Sequence, residues 1–240
     1  MNNNKGIVIS LYDLTGEALR PWAEAGHICY AFDIQHSVEG RTEGNINYCH
    51  ADLHDFGTHK DIFMKFNGQK IVFGMAFPVC THLAVSGSRH FAAKAEVDPD
   101  FQTKAVEYAK WCAEFFDDLE VPYFIENPVS VLATKWRKPD YNFHPYQYGG
   151  YINYDEANHP RWPEYIAPYD AYKKKTCLWT GNGFVMPAKV SVDCEGYHGN
   201  GYSTAMMKLG GKSQRTKDIR SATPRGFAKA VYEANKVEKE

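Results

Sequence analysis

The chain has 240 residues, 44% of them hydrophobic and 23% charged, which suits a soluble α/β domain with a small appended lobe. No apolar run reaches the roughly 18 residues of a membrane span, and the polar start Met1–Lys5 does not read as a secretory signal. The six cysteines are scattered without a CxxC pair, which argues against a zinc ribbon and a disulfide framework and leaves no metal and a reducing cytoplasm as the expectation.

Gly6 to Leu11 is short, apolar and β-branched, the pattern of a buried parallel strand. The turn Tyr12-Asp13-Leu14-Thr15-Gly16 follows, and the spacing then predicts a helix from Glu17 to Ala25, stopped by Gly26. His27 to Phe32 reads as a second strand ending on Asp33, and Tyr48 to Ala51 as a third ending on Asp52. Lys70 to Phe77 is a fourth, strongly apolar strand. Between residues 101 and 119, Ala105, Tyr108, Ala109, Cys112, Phe115, Phe116 and Leu119 recur at helical spacing. Val121 to Ile125 is a fifth strand, ending on Glu126. Strands alternating with helices imply a parallel sheet with right-handed crossovers. Residues 137–205 are rich in Pro, Gly, Tyr and Asn and predict an irregular lobe; a final helix is expected over about 224–236, packing back on the sheet. The expected organisation is therefore a core over 1–136, a lobe over 137–205 and a basic C-terminal segment over 206–240.

Several polar residues fall at the carboxyl ends of these strands, where open α/β sheets bind ligands. Asp33 lies 20 residues after Asp13, the spacing at which an acid takes ribose hydroxyls; Asp13 can equally cap the helix that follows it. Cys80 follows an apolar strand and Pro78, so it sits in a loop and not in the core. His82 is close enough in sequence for a Cys–His dyad, although nothing in the spacing singles one out. Glu126 and Cys80 end consecutive predicted strands and should face one crevice.

Net charge is −2, yet cations cluster in the second half: Lys135, Arg137 and Lys138; Lys173, Lys174 and Lys175; and Lys208, Lys212, Arg215, Lys217, Arg220 and Arg225. Each group reads as a solvated face or as part of a phosphate-facing surface. The Tyr and Trp residues crowded into 141–180 serve packing or base stacking.

An Asp-and-Gly turn after strand one, an acid ending strand two, Pro78-Val79-Cys80 after strand four and Glu126-Asn127 after strand five resemble the cytosine-C5 DNA methyltransferases. The short bacteriophage versions are the nearest pattern, and the segment from Gln214 to Val231 looks like their C-terminal segment. The resemblance implies a Rossmann-like class I S-adenosylmethionine-dependent methyltransferase sheet with a small irregular lobe. It implies a methyl group passed from S-adenosylmethionine to C5 of cytosine, with Cys80 as nucleophile and Glu126 on the base. A duplex substrate would have that base flipped out. Asp13, Leu14, Thr15 and Gly16 would face the methionine part of the cofactor, Asp33 and Ile34 the ribose, Asp52 and Leu53 the adenine side, with Phe77 beside them. Ser86, Arg89, Lys212, Arg215 and Lys217 are the expected DNA contacts. The partner is DNA, no membrane is involved, the chain is expected to be a monomer, and a phage-encoded member would work in the bacterial cytoplasm. Departures are also plain: Val79 stands where a second proline is usual, the first turn is poorer in glycine, no Gln-x-Arg-x-Arg strand occurs, and the lobe is short, which predicts short sequence specificity. The alternatives are altered C5 chemistry such as hydroxymethylation, an RNA or nucleotide substrate, and a non-catalytic relative that binds DNA or a protein.

Overall fold

A computed structural model describes residues 5–194, 209 and 213–236. Among these, eight strands form one sheet in the order β3-β4-β2-β1-β5-β6-β8-β7. The strands are β1 Ile7–Leu11, β2 Ile28–Asp33, β3 Arg41–Glu43, β4 Ile46–His50, β5 Ile71–Ala76, β6 Tyr123–Pro128, β7 Tyr141–Phe143 and β8 Thr176–Gly181. The central run β4-β2-β1-β5-β6 is parallel, while β3 and β8 are antiparallel to their neighbours β4 and β6. The chain builds outward from β1 on one side, then returns to lay β5 and β6 on the other. This reversal makes a switch point between β1 and β5, and the carboxyl edge beside it is where such sheets bind ligands. The expected Rossmann-like α/β sheet is therefore present. Among the described residues, no helix is long and apolar enough to cross a membrane.

The chain divides by compactness into residues 1–142 with 176–184, and residues 143–175 with 185–240. These groups differ from the three consecutive segments expected from sequence, because 176–181 returns to the sheet as β8.

In the first unit, β1 is buried along its whole length, as its mainly apolar run requires, and its one polar residue, Ser10, donates to Asp13. Helix α4, Phe101–Asp118, buries Ala105, Ala109, Cys112, Phe115 and Phe116, the stripe read from the sequence. The helix predicted over 17–25 is split. Residues Glu17–Leu19 form a 3-10 turn and α1 spans Arg20–Glu24, because Pro21 has no amide to donate and is accommodated in a first helical turn. Helix α2, Phe56–Phe66, starts at Asp55, whose side chain accepts from Thr58 N at 2.9 Å. A short helix α3 covers Phe91–Val97 and α5 covers Leu132–Lys135. β8 pairs with β6 from Tyr123↔Gly181 to Pro128↔Thr176, which carries β6 past its expected end at Ile125 and takes Glu126 and Asn127 into the ladder.

The second unit has its own apolar cluster of Ile166, Tyr172, Leu209, Ile219 and Ala222. Helix α6 spans Gln214–Ser221 and α7 spans Arg225–Asn235. In this unit α7 packs against the 3-10 segment Pro145–Tyr151, and its Phe227 stacks on Phe143, the last residue of β7, at 3.9 Å between ring centroids. A Cβ on Gly226 would lie 2.3 Å from the Tyr148 carbonyl oxygen, so only glycine permits this approach.

Candidate active site

Cys80 owes its position to two neighbouring chain ends. The β1–β5 ladder continues one step beyond β5 through Phe77 N donating to Leu11 O at 3.0 Å. Pro78 is buried, Val79 and Cys80 emerge into solvent, and the loop closes as a 3-10 turn over Cys80–His82. The Cys80 carbonyl accepts from Leu83 N at 2.9 Å and Ala84 N at 2.8 Å, and the Leu83 side chain is fully buried.

That loop is tied to the end of β6 at three points. Asn127 Nδ2 donates to Pro78 O at 2.9 Å, Val85 N to Val129 O at 3.0 Å, and Val131 N to Leu83 O at 3.0 Å. Register places Ala76 beside Ile125, so Glu126 lies beside Phe77. The exposed thiol of Cys80 and the half-buried carboxyl of Glu126 thus belong to one hydrogen-bonded assembly at the carboxyl edge of adjacent parallel strands. Sequence reasoning missed Asn127 as the tether. Its side chain is buried, and Oδ1 has no hydrogen-bond partner among the described residues, a condition shared by the buried Ser130 Oγ. His82 sits edge-on to Phe101 at 5.4 Å, and burial first, then the Lys94 ammonium, hold its pKa below the ordinary histidine value. A neutral imidazole is therefore the form that borders the loop. Lys94 Nζ donates to Thr81 O at 2.6 Å, bringing a cation to the same loop.

The first turn behaves as a self-contained cap. Asp13 is buried; its Oδ1 accepts from Gly16 N at 2.7 Å and Thr15 N at 3.1 Å, and its Oδ2 from Ser10 Oγ at 2.8 Å. Burial outweighs these bonds and raises the Asp13 pKa. Glu17 N donates to Thr15 Oγ1 at 3.3 Å. The amides of residues 15, 16 and 17 are thereby bonded within the turn. Leu14 is half-buried beside them. Gly16 has φ of 67°, and a Cβ there would meet the Tyr48 hydroxyl at 2.6 Å. His36 Nε2 lies 3.0 Å from Asp13 O and closes the turn from the other side. Neither Tyr48 nor His36 was singled out from sequence.

The carboxyl ends of β2 and β4 are better furnished with open groups. Asp33 ends β2; its Oδ1 accepts from Gln35 N at 2.8 Å, and Oδ2 makes no hydrogen bond with a described residue. A carboxylate oxygen in that condition suits a vicinal diol. Ile34 is 53% exposed beside it, an apolar surface for a flat ring, and Phe77 is half-buried at the neighbouring strand end. Asp52 is exposed and accepts from His54 N at 3.0 Å. Leu53 is buried, and its carbonyl accepts from Tyr12 Oη at 2.9 Å. His54 stacks on Tyr108 at 4.0 Å between ring centroids, extending an aromatic ledge that the sequence did not disclose. The residues present therefore fit the ribose and adenine parts of S-adenosylmethionine, whereas the turn amides do not stand ready for its carboxylate.

Of the expected DNA contacts, Ser86 and Arg89 are exposed on the 3-10 segment Val85–His90 that follows Cys80. Arg215 and Lys217 are exposed on α6, with the Arg215 guanidinium 5.5 Å from the Tyr165 ring. Lys212 lies outside the described residues.

No family model matches the chain, and no curated protein matches it. A solved structure from E. coli, described as a candidate DNA modification methyltransferase encoded within a prophage, is similar over 73% of this chain at 14% identity and a TM-score of 0.41. The chain spans 46% of that protein's length. A likeness of this size carries no argument about activity.

Proposed function

We propose that the chain transfers a methyl group from S-adenosylmethionine to C5 of cytosine in DNA. The observation that carries the reading is the tether between the Pro78–Cys80 loop and the Glu126–Asn127 strand. It ties the loop that carries exposed Cys80 to the strand that carries half-buried Glu126, at the carboxyl edge of β5 and β6. Cytosine C5 is a weak nucleophile. The Cys80 thiolate adds to C6, forming an S–C6 bond and making C5 enamine-like. The Glu126 carboxyl donates to N3, where negative charge develops during that addition. After C5 is methylated, a base removes its proton and the S–C6 bond breaks, returning the thiolate. When bound, S-adenosylmethionine supplies an electrophilic methyl group; Asp33, Ile34, Asp52, Leu53 and Phe77 would hold its nucleoside part. Arg89, Arg215 and Lys217 are assigned to DNA on their exposure and charge and Ser86 on its exposed hydroxyl, and the sequence specificity is short.

The test is covalent trapping. Duplex DNA carrying 5-fluorocytosine cannot lose the C5 substituent as a proton, so a working Cys80 should give a denaturant-resistant complex in the presence of cofactor. Cys80→Ala should give none, and the reading fails if the wild type gives none.

One observation favours a second reading, a non-catalytic DNA- or protein-binding relative: the turn at Asp13–Glu17 spends its amides on itself. Calorimetry with S-adenosylmethionine separates the two. Binding that weakens when Asp33 becomes Ala supports the transferase, and no heat at all supports the binding protein.

A further inference from the structure

Three segments of the second unit meet around the Pro145–Tyr151 turn. Tyr146 N donates to Tyr172 O at 3.3 Å, which lays the Lys173–Lys175 run beside it. Val192 N donates to Tyr146 O at 3.0 Å, Gly150 N to Val190 O at 2.9 Å, and Tyr151 Oη to Ala188 O at 2.9 Å, which bring Lys189 alongside. His144 stands at the head of that turn. The ring responds to this surrounding: burial first, then Lys173, Lys175 and Lys189, lower its pKa. Three ammonium groups thus act on one imidazole.

Among the described residues, Lys173, Lys175 and Lys189 take part in no ion pair. Of the acids in this unit, Glu156 pairs with Lys229 and Asp170 Oδ2 accepts from Gly226 N at 3.0 Å, while exposed Asp193 follows Val192 and takes part in no ion pair among the described residues. Like charges repel one another, and an anion seated among these ammonium groups would offset that repulsion. The charge of the whole unit points the same way. Residues 143–175 and 185–240 carry 14 Lys and Arg against 10 Asp and Glu, whereas the rest of the chain carries 13 against 19. A net charge of −2 conceals this division.

We propose that His144, Lys173, Lys175 and Lys189 form a phosphate-binding surface that takes the backbone of duplex DNA. The proposal rests on the reading of DNA as substrate and adds to it a site on the second unit. Lysine binds phosphate as a point charge, and a contact of this kind positions a duplex without reading its sequence. Such a surface matches a lobe too short for an extensive base-reading interface.

The test uses the full chain and a fluorescently labelled duplex, with affinity measured by anisotropy between about 50 and 200 mM salt. The variant Lys173→Ala/Lys175→Ala/Lys189→Ala should bind at least tenfold more weakly at the lower salt. Its log–log salt slope should be shallower by roughly 2 to 3, at about 0.9 for each phosphate released. A comparison variant, Lys5→Ala/Lys60→Ala/Lys70→Ala, removes three exposed lysines of the first unit and should keep the wild-type slope. Nuclear magnetic resonance of the His144 ring supplies an independent readout. Loss of the three lysines should raise its pKa, which shows that the variant is folded and that the charges converge there. A triple variant that binds duplex DNA with the wild-type slope overturns this proposal and leaves the methyltransferase reading standing. A wild-type chain that binds no duplex overturns both.

Discussion

Replacing Asn127 separates the stability of the fold from the placement of its nucleophile. Asn127→Ala removes the donor that holds Pro78 O at 2.9 Å and leaves that carbonyl without its partner. Losing a buried hydrogen bond and orphaning one partner costs about 1–3 kcal/mol. The same substitution also removes Asn127 Oδ1, which is buried without a described partner and already carries a penalty of similar kind. The two effects offset, so the net loss should be on the order of 1 kcal/mol, or roughly 2–4 °C in Tm for a chain of this size. The Cys80 loop, however, loses one of its three ties to β6. A tie worth about 1.4 kcal/mol in positioning corresponds to about a tenfold lower rate. Asn127→Asp should be worse than alanine, since it sets a carboxylate against the Pro78 carbonyl. Single-turnover trapping on 5-fluorocytosine DNA, read beside thermal unfolding, measures both quantities. The reasoning is refuted if Asn127→Ala traps at the wild-type rate, or if its rate falls only in proportion to unfolded protein.

Thiol labelling near pH 8 should modify exposed Cys80 first. Cys29, whose burial pushes its thiol up to about 12, and Cys112, pushed up further by complete burial, should label only on unfolding; early loss of Cys112 in a peptide map would contradict the described core. Acid should destabilise the fold before the carboxylates titrate. His27, His59, His82 and His144 all have folded pKa values lowered by burial, so the unfolded chain binds protons first. Their contribution is complete above the ordinary value of about 6.5 and is lost as pH falls below it. Denaturant midpoints between pH 8 and pH 5.5 should therefore decline, and a flat profile would contradict this. Gly226→Ala should cost on the order of 2 kcal/mol, because the new methyl meets the Tyr148 carbonyl backbone and not a flexible side chain; an unchanged Tm would show that α7 does not approach so closely.

The parallel strands were legible because a strand buried on both faces is written as a nearly continuous apolar run, as in Ile7–Leu11 and Ile71–Ala76. The helix over Phe101–Asp118 was legible from its stripe. β8 was not, because Thr176–Gly181 pairs with a partner some 50 residues away inside a stretch rich in turn formers, and only its β-branched and aromatic content hinted at it. α2 was missed because Gly57 and mixed polarity blur its period, although Asp55 and Thr58 spelled its cap. In the site, Cys80 and Glu126 could be paired from strand order alone. Asn127 could not, since its bond to Pro78 depends on the register of two strands. Asp13 shows the opposite limit: an acid four residues from a glycine-bearing helix start can serve a ligand or the turn itself, and the geometry of its two oxygens serves the turn.

The most direct test of the central claim is nucleoside mass spectrometry of unmethylated DNA incubated with the chain and S-adenosylmethionine, run beside Cys80→Ala. Cys80 is exposed and its side chain supports no core packing, so the variant should fold as the wild type does. The account predicts 5-methylcytosine with the wild type and none with the variant. No modified cytosine from the wild type on either double- or single-stranded DNA, or equal amounts from both proteins, would contradict it.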